Sequence, residues 1–289
     1  GCCLTEKGRC PMADGRITVL VENSTSGRGL LAEHGLSFWI EFGPRRILFD
    51  TGQSDILLHN AQILGVDLGK MDAVVLSHGH YDHTGGLGKV LETAPAVPVY
   101  LHPQALEPKF AGGPGQCRQI AMERDLTRVL RQRIEDGLGS FTDGPVEILP
   151  GVWAIGEVPR YSALEDTGGP FYSDAACTEV DELLDDQALV LETEEGLVVV
   201  LGCAHAGVVN TLDYVAELFP DRPIRTVLGG MHLVRASHAR IIHTIEALHR
   251  HNVQQVGPAH CTGAEATREL WNAMPQKCFL CNVGTQIRL

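Results

Sequence analysis

The sequence predicts an α/β fold with two mixed sheets inside and helices outside. Short apolar runs of strand length recur along the chain, and stretches with helical spacing follow many of them. These elements come in the order hairpins, β/α units, hairpins, β/α units, which reads as two halves facing each other across their sheets. The chain has 289 residues, 44% of them hydrophobic, so it can bury a sizeable core without disulfide staples.

Residues 17–22 are a first strand. Residues 36–42 and 46–49 form a hairpin around the turn at Gly43-Pro44. Residues 54–64 have helical spacing, with Ser54 as N-cap. A short buried strand at 73–76 leads toward a helix at 85–92, and a further strand lies at 97–101. The polar segment 116–136 is a helical insertion or a lid. Strands at 146–149 and 152–155 flank Pro150-Gly151, and residues 156–184, rich in Gly, Pro, Ser and acids, form a long loop. Strands 188–192 and 197–201 make a second hairpin. Helix 208–218, strand 226–228, helix 236–251, strand 255–257 and helix 264–274 follow, and strands close the chain. No Gly/Ser-rich or Pro-rich linker separates the halves, so residues 16–289 read as one domain and residues 1–15 as a ragged N-terminal segment.

Acidic residues number 36 against 23 basic, a formal net charge of −13. A field of that sign repels phosphate backbones and argues against a nucleic-acid partner. The longest apolar runs are far too short to span a bilayer, and no export signal is visible, so no membrane partner is expected. The nine cysteines, at 2, 3, 10, 117, 177, 203, 261, 278 and 281, are odd in number and irregular in spacing. That pattern predicts reduced thiols in a cytoplasmic chain. Cys278-x-x-Cys281 lacks a second CxxC and reads as structural, and Cys2, Cys3 and Cys10 belong to the ragged terminus. Gly1-Cys2-Cys3-Leu4-Thr5 also fits the loose myristoylation pattern, which matches by chance too often to carry weight.

The chemistry concentrates in Leu76-Ser77-His78-Gly79-His80-Tyr81-Asp82-His83-Thr84-Gly85-Gly86. Four potential ligands fall within six residues on a strand-to-helix loop. Alternate side chains of an extended stretch share a face, so His78 and His80 can converge on one ion. The turn into the helix then offers Asp82 and His83 to a second ion. Imidazole with carboxylate suits zinc first, with manganese, iron or nickel as alternatives, in one or two divalent sites. His205, His232 and His260 each follow a strand in a glycine-punctuated step: Gly202-Cys203-Ala204-His205, Gly229-Gly230-Met231-His232 and Pro258-Ala259-His260-Cys261. His205 and His260 read as further ligands, and His232 as a ligand or a substrate contact. His34, leading into the first hairpin, borders the same pocket.

The HxHxDH string resembles the signature of the metallo-β-lactamase superfamily. That resemblance implies an αββα sandwich with one or two metals at the sheet ends. Phe49-Asp50-Thr51-Gly52 matches the superfamily's first motif, where Asp50 would hold a ligand histidine and its loop rather than touch metal. The chain departs from the pattern in two places. No histidine lies between His102 and His205, where the third ligand motif normally falls, and the usual Gly-Asp step is here Gly202-Cys203. Either His205 or Asp186 completes the first shell, and Cys203 is either a soft ligand or an inert core residue. The longer strings around Leu30–Ser37, Asp50–Ser54, Gly156–Arg160, Asp185–Gln187 and Asn210–Thr211 resemble one branch in particular. It comprises metal-dependent hydrolases similar to 7,8-dihydropterin-6-yl-methyl-4-(β-D-ribofuranosyl)aminobenzene 5′-phosphate synthase.

The resemblance implies an enzyme in which a metal-held water attacks a small anionic ester or phosphoester. Asp82 would orient that water, and His232 or Arg160 would bind an anionic group of the substrate. Three other readings stay open. One is metal-dependent condensation of a dihydropterin pyrophosphate with a ribofuranosylaminobenzene phosphate. The others are an iron-dependent redox or sulfur-transfer member of the fold, and a non-catalytic metal or ligand sensor. The expected partner is a small-molecule substrate, with a homo-oligomer left open.

Overall fold

A computed structural model describes residues 15–113 and 115–289. The expectations for Cys2, Cys3, Cys10 and the acylation pattern lie outside the described residues. Two large sheets pack face to face. The first runs, edge to edge, Gln286–Arg288, Gly15–Val21, Ser37–Phe42, Arg45–Phe49, Ala73–Val75, Val99–Leu101 and Gly139–Phe141. The second runs Gln255–Ala259, Ile224–Gly230, Gly196–Leu201, Leu189–Thr193, Val152–Ala154 and Val146–Leu149. Each sheet joins antiparallel hairpin strands to parallel β/α strands, the first at Arg45–Phe49 against Ala73–Val75 and the second at Gly196–Leu201 against Ile224–Gly230.

The strands are buried on both faces, which is why they read as nearly continuous apolar runs. Successive side chains alternate between two cores. Ile47 and Phe49 point between the sheets, where they meet Val198 and Val200. Leu48 points outward with Leu57, Ala61 and Val90 from the helices Ile56–Ile63 and Leu87–Thr93. Val199 and Leu201 face the opposite outer layer, built by Val208–Leu218, His238–Arg250 and Ala264–Ala273. The result is the αββα sandwich the sequence predicts.

Local expectations change at three elements. Helix 54–64 begins later, at Ile56, and Ser54 is not its N-cap; Asp55 occupies that position without a capping bond. Glu33 is the cause, because its carboxylate accepts from the amides of Gln53 and Ser54 and from the Ser54 hydroxyl (2.9, 3.0 and 2.6 Å). Helix 85–92 starts later, at Leu87–Thr93, and a separate single helical turn, Tyr81–Thr84, precedes it. Between them, Gly85 and Gly86 lie against the carbonyls of Gln53 and Thr51, where a Cβ would collide. Segment 116–136 divides into the strand Arg118–Gln119 and the helix Arg124–Glu135. That strand joins Phe110–Ala111 and Phe171–Tyr172 in a small third sheet, which pins the long loop 156–184 over the ends of the large sheets.

The cysteine expectation is also corrected. Cys117 and Cys177 form a disulfide across 60 residues of sequence, because the third sheet brings their segments together. With one pair oxidised, the thiols no longer argue for a reducing compartment. Cys203, Cys261, Cys278 and Cys281 are free. Replacing Cys117 and Cys177 together by serine is expected to destabilise the protein by up to about 4 kcal/mol, the chain-entropy figure for a loop of this length. Thermal unfolding of the variant beside the oxidised and reduced parent measures it. No helix among the described residues is long and apolar enough to cross a membrane.

Candidate metal centre

The strand Ala73–Val75 delivers Ser77 and His78 to the carboxyl end of the first sheet. Gly79 must approach its neighbours closely: its amide donates to Asp185 Oδ2 at 2.7 Å, and a Cβ would collide with the Ala105 carbonyl. Gly79→Ala is therefore expected to cost about 1–3 kcal/mol and to spread the flanking histidines. Thermal unfolding and zinc affinity, measured together, report both effects. His80 stands at the N-terminus of the turn Tyr81–Thr84, which carries Asp82 and His83 inward. His78, His80, Asp82 and His83 are all buried.

Three further loops reach the same place from the second sheet. They follow the strands Gly196–Leu201, Ile224–Gly230 and Gln255–Ala259, and they carry His205, His232 and His260. Gly202 passes so close to the first sheet that a Cβ would collide with Ser77 Oγ. The backbone at Asp50, Ala204, His232 and His260 is left-handed, with φ of 58, 53, 44 and 49°. Each such residue stores on the order of 1–3 kcal/mol of strain, and the cluster lies where these loops converge.

Ligand atoms of His78, His80 and His205 lie within 4.8 Å of one another, and so do those of His34, Asp82 and His260. A third group joins His78, His83 and Cys203. Asp82 Oδ2 is 3.1 Å from His34 Nε2 and 3.3 Å from His260 Nε2. Asp50 is fully buried and holds ligands from behind. Its carboxylate accepts from the Ser77 amide and hydroxyl, both at 2.7 Å, and pairs with His83 Nδ1 at 2.7 Å. Asp186 stands outside every ligand group; its Oδ2 accepts from the Ala206 amide at 2.9 Å and so steadies the His205 loop. Of the two candidates for the missing third motif, the structure places His205, not Asp186, beside His78 and His80.

His232 packs on His205 with ring centroids 4.3 Å apart, under Gly168 of the long loop. Arg160 is a correction. Its guanidinium donates to the carbonyls of Glu182 and Leu183, and it does not line the cleft. The cleft, of about 480 Å³, is lined by Arg118 and Arg235 instead, with Tyr81, Phe171 and His34. Sequence reasoning missed these arginines because nothing local marks Arg118 or Arg235 as facing a site. It also missed Phe171, whose ring lies 5.3 Å from that of His80 and 5.1 Å from that of His205. Cys261 had a signal, its place directly after His260.

Electrostatics favour a cation here. Burial keeps the imidazoles of His78, His205 and His260 well below or below their ordinary pKa, and brings His80 to about 3 and His232 to about 4. These rings are neutral at pH 7, so each carries a lone pair on one nitrogen. Burial also opposes charge on His83, but the carboxylates of Asp50 and Asp82 outweigh it and lift His83 to about 9. Burial, helped by the charge of Asp185 and opposed by the Ala206 and His205 amides, raises the Asp186 carboxyl to about 7. His80 Nε2, His205 Nε2, His232 Nδ1 and His260 Nε2 are buried without a hydrogen-bond partner. Each orphaned nitrogen costs about 1–3 kcal/mol, and four converging on one cleft is the pattern a ligated cation relieves. The residues present thus fit a divalent metal.

Residues 31–214 match the metallo-beta-lactamase superfamily, and the chain belongs to it. Over 247 residues it is 32% identical to the 7,8-dihydropterin-6-methyl-4-(β-D-ribofuranosyl)-aminobenzene-5′-phosphate synthase of Methanocaldococcus jannaschii, covering 81% of this chain and 83% of that protein. Among solved structures it is similar to Tm1679, described as a metal-dependent hydrolase of the β-lactamase superfamily. That match has a TM-score of 0.79 and 31% identity, and it covers 95% of this chain and 99% of that one. A diphosphatase of the PhnP family shares the fold at a TM-score of 0.53 and 15% identity, covering 96% and 98% of the two chains.

Proposed function

We propose that the protein is a metal-dependent hydrolase of a small anionic ester or phosphoester. The observation behind this reading is the set of buried ring nitrogens without partners, grouped with Asp82 at the floor of a cleft whose rim carries two arginines. A divalent ion bound there, zinc before manganese, iron or nickel, would supply Lewis acidity and lower the pKa of a water it holds. His78, His80 and His205 would hold one ion, and Asp82, His83 and His260 face a second position. Asp50 fixes the His83 ring through Nδ1, so that Nε2 faces Cys203 Sγ and Asp82 Oδ2. Asp82 Oδ2 would orient the attacking water and take its proton. His34, half exposed and in contact with that oxygen, would pass the proton to solvent. His232, Arg118 and Arg235 would bind the anionic group, and Phe171 would wall off bulk water on the side of His80. The similarity to Tm1679 supports hydrolysis.

A second reading is favoured by the name of the Methanocaldococcus relative, a synthase: condensation of a dihydropterin pyrophosphate with a ribofuranosylaminobenzene phosphate. One experiment separates the two. Metal-loaded protein is assayed against phosphodiester, lactone and thioester substrates, and against the pterin pyrophosphate with and without the amine partner. Chelator-sensitive turnover of a generic ester is the expected result. Pyrophosphate release that requires the second substrate would instead establish the condensation.

A further inference from the structure

The cleft holds two thiols that the chemistry above does not use. Cys203 and Cys261 follow the strands Gly196–Leu201 and Gln255–Ala259, which flank Ile224–Gly230 in the second sheet; both are buried, and their Sγ atoms stand 3.3 Å apart as free thiols. Cysteines packed as inert small hydrophobes sit among apolar groups. These sit among nitrogen donors. Cys203 Sγ is 3.2 Å from His83 Nε2, and Cys261 Sγ accepts from the His232 amide at 3.3 Å.

His260 completes the set. The ligand atoms of Cys203, His260 and Cys261 lie within 4.8 Å of one another. His260 is buried, and its Nε2 makes no well-aligned hydrogen bond, with Asp82 Oδ2 3.3 Å away. The ring is held from its far side by Asn23 Oδ1, 2.8 Å from Nδ1, while Glu22 accepts from the His260 amide at 2.7 Å. The space for sulfur is also built in: a Cβ on Gly230 would come within 2.7 Å of Cys261 Sγ. Two sulfurs and an imidazole form a soft donor set, which selects thiophilic cations over magnesium or calcium.

We propose that Cys203 and Cys261, together with His260, hold a thiophilic divalent cation of the zinc class, beside the all-imidazole position of His78, His80 and His205. The proposal rests on reading the cleft as a metal centre and deepens it, by making the second position sulfur-rich. On binding, each thiol releases its proton to solvent and its sulfur lone pair bonds the cation. Nothing is oxidised, so no further reactant is required.

Cobalt(II) is the probe, titrated into the reduced protein and into Cys203→Ser, Cys261→Ser and the double variant. The parent should show a near-ultraviolet thiolate-to-cobalt charge-transfer band. That band should weaken in each single variant and vanish in the double. Visible ligand-field bands from the imidazole position should persist in all four proteins, which also shows that the double variant is folded. Ligand-field bands without a charge-transfer band in the parent would overturn the thiolate site and leave the metal centre standing. No cobalt uptake by the parent would remove both.

Discussion

Replacing His80 with alanine is expected to abolish turnover and to empty the position formed by His78, His80 and His205. The His80 ring is buried, its Nδ1 lies 2.9 Å from His78 Nε2, and its Nε2 points into the cleft without a partner. Removing it leaves His78 and His205 as two ligands where three converge. The loss in kcat/KM should exceed about 10³-fold, since water activation depends on the ion. The metal-free variant should unfold near the temperature of the metal-free parent, because truncation removes an unsatisfied nitrogen along with its packing. The parent should then gain more stability from added zinc than the variant, by mass action. Elemental analysis, an ester assay and melting curves with and without zinc test all three. Full activity in purified His80→Ala would end the hydrolase reading.

The second large effect belongs to Lys109, which lies outside the ligand set. Its ammonium is almost wholly buried, 2.8 Å from Asp185 Oδ1 and 3.2 Å from Asp181 Oδ2. Asp185 in turn accepts from the Gly79 amide, between the two histidines of the motif. Lys109→Ala would leave Asp185 charged and unpaired in the core. The expected cost is about 3–5 kcal/mol, with weaker zinc binding because the motif loop loses its anchor. For Lys109, burial disfavours the charge, but Asp185 and Asp181 prevail and raise its pKa. For Asp185, burial works against ionisation, and Lys109 prevails and lowers it. The raised lysine stabilises below its unfolded value and loses that contribution as pH climbs past its folded value. The lowered carboxylate stabilises above its unfolded value and loses it as pH falls through its folded value. The pair should therefore contribute fully between about pH 4 and 10, and the gap between parent and variant should narrow outside that window. Urea unfolding of the two proteins across pH measures it.

The sheets were legible because their residues obey simple periodicities. Leu197–Leu201 reads as a strand buried on both sides, and the structure buries Leu197 and Val199 on one face and Val198 and Val200 on the other. Histidines spaced two apart before an Asp-His step pointed to a cation site from local geometry alone. The failures are of another kind. Ser54 looks like a helix cap until Glu33, 21 residues earlier, takes its hydroxyl. Arg160 looks like an anion binder until loop carbonyls claim it. Cys117 and Cys177 look like isolated thiols until a small third sheet joins them. In each case the deciding partner is remote in sequence and unmarked by any repeat or spacing.

The groups that converge on the cleft have divided origins. His34, Asp82 and His83 extend from the first sheet, while His205, His232 and His260 extend from the second. A bound ion would therefore act as a rivet through the seam of the sandwich as well as a reagent. Its removal should loosen both layers at once, so that amide protons in Ala73–Val75 and Ile224–Gly230 lose protection against deuterium exchange in step. Neither half of the polypeptide, made separately, should assemble the ion's cage.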